Sequence, residues 1–409
     1  MKLGREEKSM HILIFEPRLE GHHLSWLRYI AEDFLSSGHR LTLAIDGRDQ
    51  AVERYQKHLG DLLNQVSVNS IFDSDRRIKG GSKLAALNHC FVQSQADQAF
   101  VNNLDDIASS MLRRASVGVL PPRPLQGKLS GVYFRPRFLA NPLWPVGNIL
   151  KQIGFNRLAK GGWYHRVCLL DEYLYARHHR RYARAGLTFL PDTWSGSFNM
   201  SKSQARDHLG ISPNKFVLLH YGIGTRRKGL HLVIRAMLSS TRPERWHLLY
   251  AGQLSNDKEI TNGMRNLSQR GNATVFNRYV SKAEEHTCFA ASDIVLLPYV
   301  GHFGSSGVLA LSAAAGKMVV ASDEGLIAHR VRKKGLGICF ASGNTQALKN
   351  ALSMAEQILG ANPHRYSDAA QAFAQQCDRE AFRRALTAVY SDGQMKSSSG
   401  RTAVSADGS

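Results

Sequence analysis

The chain has 409 residues, enough for two domains that each bury their own core. Apolar residues make up 43% and charged residues 21%, the balance of a globular protein, and no apolar run nears the roughly 20 residues of a membrane span. The formal net charge is +20 and uneven: residues 1–100 carry 13 Lys/Arg against 13 Asp/Glu, residues 101–200 carry 14 against 5, and residues 201–300 carry 14 against 7. This excess suits anionic lipid headgroups or phosphorylated substrates as well as plain solubility. No nucleic-acid motif or unbroken basic run occurs, so nucleic acid is not an expected partner. Five scattered cysteines without a CxxC pair fit reduced thiols and no zinc site. The first residues, MKLGREEKSMHILIFEP, lack a secretory apolar region, so the expected compartment is the cytoplasm.

In chain order, residues 11–16 (HILIFE) read as a buried strand. A turn with Pro17 and Gly21 follows, then a helix over 24–35 with apolar residues on one face, ended by Gly38. Residues 41–45 (LTLAI) make the second strand, so the chain opens βαβ with parallel strands. Further strands are expected near 66–72, 100–103, 130–134, 167–170 and 187–190, with a helix over 172–185. Residues 135–163 are basic and rich in aromatics, Pro and Gly; they suit either a covered loop or a membrane interface.

PDTWSG (191–196) breaks the pattern. The boundary therefore falls at 192: an N-terminal Rossmann-like domain over 1–192 and a C-terminal one over 193–372. The second half alternates strands at 216–220, 248–251, 273–276, 293–299 and 318–322 with helices, and 338–340 closes its sheet. Helices at 344–359 and 363–391 follow; from 392 the composition of the tail, to 409, predicts disorder. The fold class is α/β, two Rossmann-like domains facing each other across a cleft.

Three strand-to-helix turns carry chemistry. GIGTRRKG (222–229) sets Arg226, Arg227 and Lys228 among glycines, which suits a diphosphate. It is not a Walker A motif, and basic residues in a first helical turn are often merely solvated. GHFGSSG (301–307) follows the strand DIVLLPY and precedes an Ala-rich helix, so Gly304, Ser305, Ser306 and Gly307 would present backbone N–H groups to an anion. Tight packing alone would also explain such a turn. His22 and His23 follow the first strand at the cleft edge, placed to contact a substrate hydroxyl or reacting centre, or simply to cap a helix. Asp105 and Asp106 are weaker cleft candidates that also suit a helix start.

The series GIGTRRKG, a strand ending in AGQ, DIVLLPY, the Gly/Ser turn, an Ala-rich helix and GKMVVASDEG resembles the C-terminal domain of the GT-B retaining glycosyltransferases of family 4. The likeness in element order runs over about 10–390; its specific motifs lie in 216–340. The resemblance implies a nucleotide-sugar substrate, UDP- or GDP-linked, with no cofactor and no metal. It implies that Arg227 and Lys228, with Arg226, hold the pyrophosphate, that Gly304 to Gly307 hold the donor phosphate or sugar, and that Arg278, Tyr279 and Val280 hold the base. It further implies a glycan or lipid-linked acceptor on the N-terminal domain, a last helix within 373–391 crossing back to that domain, and transfer with retention. An anionic membrane surface is a candidate partner, which would put the protein peripherally on the inner face.

One departure stands out. The family usually has two glutamates eight residues apart, which would fall here near Phe303 and Leu311, and no carboxylate occurs from 301 to 320. Asp323 and Glu324, just beyond the next strand, are the nearest candidates to supply one. The leading expectation is a divergent active transferase; the alternative is a catalytically idle nucleotide-sugar-binding or scaffold protein of the same fold. A nicotinamide dehydrogenase is disfavoured, because no G-x-G-x-x-G follows the first strand.

Overall fold

The computed structural model describes residues 9–19, 23–141, 143, 145–241 and 244–391, with only the backbone of Gln50. His22 and the tail from 392 lie outside the described residues. The chain divides into two compact units. The first takes the described residues up to Leu169, Leu174–Phe189 and those from Arg383; the second takes Leu170–Tyr173 and Leu190–Phe382.

The first unit holds a seven-stranded sheet: β1 (His11–Glu16), β2 (Arg40–Ile45), β3 (Ser67–Ser70), β4 (Gln98–Val101), β5 (Leu129–Tyr133), β6 (Tyr164–Leu169) and β7 (Leu187–Phe189). Their order is β3-β2-β1-β4-β5-β6-β7, all parallel. A parallel sheet covered on both faces needs unbroken apolar strands, and all six residues of β1 are buried. The polar strand β3 sits at the edge, where two of its residues are exposed and two half-buried. The described residues from Arg383 belong here too: the Tyr390 ring stacks on His165, centroids 5.3 Å apart, and His165 Nε2 lies 3.1 Å from the Val389 carbonyl oxygen.

The second unit holds β8 (Phe216–Tyr221), β9 (Trp246–Ala251), β10 (Ala273–Phe276), β11 (Ile294–Leu297), β12 (Met318–Ser322) and β13 (Gly337–Phe340), in the parallel order β10-β9-β8-β11-β12-β13. Alternate residues feed two core layers, Leu218, Leu248 and Ile294 on one face, Val217, Leu219 and Val295 on the other. Each such aliphatic contributes about 1.5–3 kcal/mol by its burial. The strand order reverses between β8 and β11, the place where sheets of this kind bind ligands.

Three expected elements differ. The helix over 172–185 stops at His178, and a single turn, Ala183–Ala185, precedes Gly186. Arg177, Arg180, Arg181 and Arg184 would line one helical face there, and like charges at that spacing oppose a helix. The helix over 363–391 is two, Ser367–Gln376 and Arg379–Thr387. The break falls where Cys377 enters the core and Asp378 accepts the Ala381 N–H at 2.6 Å. Residues 135–163 contain the short helix Arg137–Ala140 and the long helix Val146–Lys160.

Candidate functional site

The basic loop after β8 is held by its backbone. Gly229 has φ +73°, and a Cβ there would lie 1.8 Å from the Pro298 carbonyl oxygen, so only glycine fits. The Val300 N–H donates to the Arg227 carbonyl at 2.9 Å. His220 is buried, which lowers its pKa to about 4 and keeps the ring neutral; its Nε2 donates to the Lys228 carbonyl at 3.0 Å. With the backbone fixed, the three cations diverge. Arg226 turns to Asp257 and Glu259, at 2.6 Å each. Arg227 donates to His302 Nδ1 at 3.1 Å. Lys228 donates to the Tyr299 hydroxyl at 2.7 Å, its Nζ 3.9 Å from the ring centroid. Arg227 therefore reaches the Gly/Ser turn, Lys228 reaches Tyr299 just ahead of it, and Arg226 is engaged by carboxylates.

That turn follows β11 and leads into the helix Gly307–Ala314. Ser306 is its N-cap residue but makes no side-chain cap. A Cβ on Gly307 would meet nothing within 4 Å, so packing does not require glycine there. Its absent side chain leaves the helix N-terminus open to close approach. His302 ties the turn to the basic loop: its Nδ1 accepts from Arg227, so the proton is on Nε2, which donates to the Ser305 carbonyl at 3.0 Å. Ser306 Oγ lies 3.4 Å from the Tyr299 hydroxyl. Glu324, beyond β12, accepts the Gly301 N–H at 3.0 Å, whereas Asp323 accepts the Ser342 N–H at 3.0 Å. Of the two carboxylates that follow the turn, Glu324 is thus the one used to shape it.

Beneath the turn lies a buried ionic network. Ser305 donates to Asp192 Oδ1 at 3.0 Å, and Asp192 Oδ2 accepts from Arg330 at 2.8 Å. Arg330, with 2% of its side chain exposed, also donates to the Leu170 carbonyl at 2.6 Å and to Glu172 at 2.7 Å. Burial opposes its charge, but Asp192 and Glu172 outweigh that cost and raise its pKa.

Arg278 pairs with Glu284 at 2.9 Å and pulls that carboxyl down to about 2. Tyr279 is exposed, whereas Val280 is buried in the core and offers only backbone to a ligand. In the first unit His23 begins the helix His23–Ser36, with Nδ1 3.0 Å from Glu16 Oε2. Asn102 donates to the same oxygen at 2.5 Å, and the Arg18 N–H donates to Glu16 Oε1 at 2.7 Å. His23 is thus oriented by a fully buried carboxylate at the end of β1. Asp105 is half-buried, and the desolvation of its carboxyl raises its pKa; it accepts the N–H groups of Phe134 and Arg135. Asp106 pairs with Arg18. No group of three His, Cys, Asp or Glu among the described residues is placed to hold a metal ion. Likewise, no described helix is long and apolar enough to cross a membrane. Sequence reasoning missed His302, Tyr299 and Arg330; a histidine inside the Gly/Ser turn was the available signal for the first.

Comparison with known proteins places this geometry in a class. Solved structures of the same GT-B fold include a glycosyltransferase from Rickettsia africae (15% identity, 93% of this chain and 98% of the other, TM-score 0.63) and HepE of Anabaena in complex with UDP (18%, 93% and 99%, TM-score 0.65). WaaG, a glycosyltransferase involved in lipopolysaccharide biosynthesis, is similar at 16% identity, 93% and 100% coverage and TM-score 0.62. No curated protein sequence matches the chain. Residues 201–395 match the family model of glycosyl transferases group 1.

Proposed function

We propose that the protein moves a sugar from a UDP- or GDP-linked donor to a glycan or lipid-linked acceptor, with retention of configuration, in the cytoplasm and in contact with an anionic membrane surface. The observation that carries this reading is the junction of two anion-binding elements at the switch point of one sheet. Arg227 and Lys228 reach, through His302 and Tyr299, the open helix terminus at Ser306 and Gly307. Two cations and a helix N-terminus suit the charge of a diphosphate. In the transfer the bond from the anomeric carbon to the phosphate oxygen breaks and a bond to the acceptor oxygen forms on the same face. The acceptor proton passes to the departing phosphate. Arg227 and Lys228 stabilise the charge that builds on that phosphate. Tyr279 and the backbone of Val280 are the proposed contacts of the base. His22 and His23 are the proposed acceptor-side residues, His23 set in place by Glu16.

Isothermal titration of UDP and GDP tests the site. Each charge-assisted contact is worth about 1.5–3 kcal/mol, so Arg227→Ala with Lys228→Ala should weaken binding by about 100-fold or more. Equal affinity in the double variant would refute the diphosphate assignment. Incubation with a panel of sugar nucleotides and acceptors, read by mass spectrometry, separates an enzyme from an idle binder: binding without any transfer or hydrolysis identifies the latter.

A further inference from the structure

The helix Val146–Lys160 has two apolar faces. Its inner face packs through Phe155, Leu158 and Ala159 against the first unit. Gly154 sits so close to the helix Asp105–Ser116 that a Cβ would lie 1.9 Å from the Leu112 carbonyl oxygen. The opposite face carries Val146, Ile149, Leu150 and Ile153, spaced as one helical stripe, and they are 64%, 36%, 40% and 44% exposed. The stripe continues with Arg157 and Lys160. Arg157 donates to the Ala115 carbonyl at 2.9 Å, which brings the loop with exposed Val117, Val119 and Leu120 beside it. Exposed Leu143 lies just ahead of the helix.

We infer that this outer face docks the protein on an anionic phospholipid bilayer, with the aliphatic stripe at the acyl boundary and the flanking cations among the headgroups. Charge identifies the occupant. From Ile107 to Leu170 the chain has no Asp or Glu and ten Lys/Arg. Arg113 and Arg114 are exposed on the neighbouring helix Asp105–Ser116, and Lys151, on the flank of the helix, feels Arg113 and Arg137 as well as the Asp105 carboxylate. A second copy of the chain would bring the same cations against themselves. The terminal segments outside the description, 1–8 and 392–409, are too polar to cover an aliphatic stripe. A nucleic-acid backbone would match the cations but not four exposed aliphatics. An apolar stripe edged by Lys and Arg is what a membrane-surface helix needs. The inference gives a location to the membrane contact in the proposed function, on a unit separate from the nucleotide-binding residues.

The test is co-sedimentation with vesicles of phosphatidylcholine mixed with phosphatidylglycerol, and with phosphatidylcholine alone, at low and high salt. The wild type should sediment with the anionic vesicles and release with salt. Ile149→Asp with Ile153→Asp alters only exposed positions; it should keep its melting temperature and UDP affinity and lose vesicle binding at least tenfold. Arg114→Ala and Lys160→Ala should each weaken anionic-vesicle binding about fivefold. Absence of wild-type sedimentation at low salt, or equal sedimentation of the double aspartate variant, would overturn the inference. So would a wild-type dimer that this variant converts to monomer, which would make the face a subunit interface. Vesicle binding in a protein that fails to bind UDP or GDP would leave the docking face standing and remove the proposed donor site.

Discussion

Arg330→Met is the sharpest test of how the second unit is built. The substitution keeps an unbranched apolar stem in a site with 2% exposure and removes the guanidinium. Asp192, 6% exposed, then keeps only the Ser305 hydroxyl among its charge-assisted and polar partners in this network, while Glu172 and the Leu170 carbonyl lose their donor. Removing one member of a buried ion pair costs about 3–5 kcal/mol, because the other charge stays buried without compensation. For a unit of this size, ~4 kcal/mol lowers the melting temperature by about 10 °C. Calorimetry is the assay, with the transition of the second unit recognised by its upward shift in UDP. Neutralising the stranded partners as well, with Asp192→Asn and Glu172→Gln, should restore part of the loss. Arg330→Lys should fall between wild type and Met, since it keeps the charge but not the fork. A drop of less than ~1 kcal/mol for Arg330→Met, or no recovery in the triple variant, would refute the reasoning.

Other outcomes follow from single residues. Gly307→Val should leave the melting temperature unchanged, since its Cβ meets only open space, while weakening UDP binding at least tenfold; Gly229→Ala should destabilise by several °C because of the Pro298 carbonyl. Wild-type stability in the calorimeter and UDP titration read both. His302→Ala should cut UDP affinity about tenfold with little change in melting, because it unties Arg227 from the Ser305 carbonyl. Lys317 is buried and donates to the carbonyls of Ala290 and Ser292, and burial pulls its pKa down to about 8 from 10.5. Between those values the unfolded chain holds the proton and the folded one does not, so this residue's contribution to stability rises with pH across about 8 to 10.5. The difference between wild type and Lys317→Met in denaturant should change by on the order of 3 kcal/mol over that window and stay flat below it.

The α/β alternation was legible because each strand of a covered parallel sheet is a continuous apolar run, as in HILIFE and DIVLLPY, and each helix shows one face. The helix Val146–Lys160 escaped because its apolar residues fall on two opposite faces, so no single apolar face marks its period. The two turns proposed to hold the diphosphate are marked in the sequence by glycine beside Arg, Lys and Ser. Which cation serves the turn was not: Arg226 and Arg227 are neighbours in sequence, and only the fold brings Asp257 to one and His302 to the other. The Arg330 network was hidden for the same reason, since its partners stand 138 and 158 positions away.

The division of the chain into units also bears on inheritance. Leu170–Tyr173 serves the second unit although it lies between segments of the first, and the residues after Arg383 return to the first. A single crossover or cleavage near 190 therefore delivers neither unit whole: one piece lacks Tyr390 for His165, and the other lacks Glu172 for Arg330. Exchange of the C-terminal half between such proteins should therefore yield folded chains only when both short segments travel with their owners.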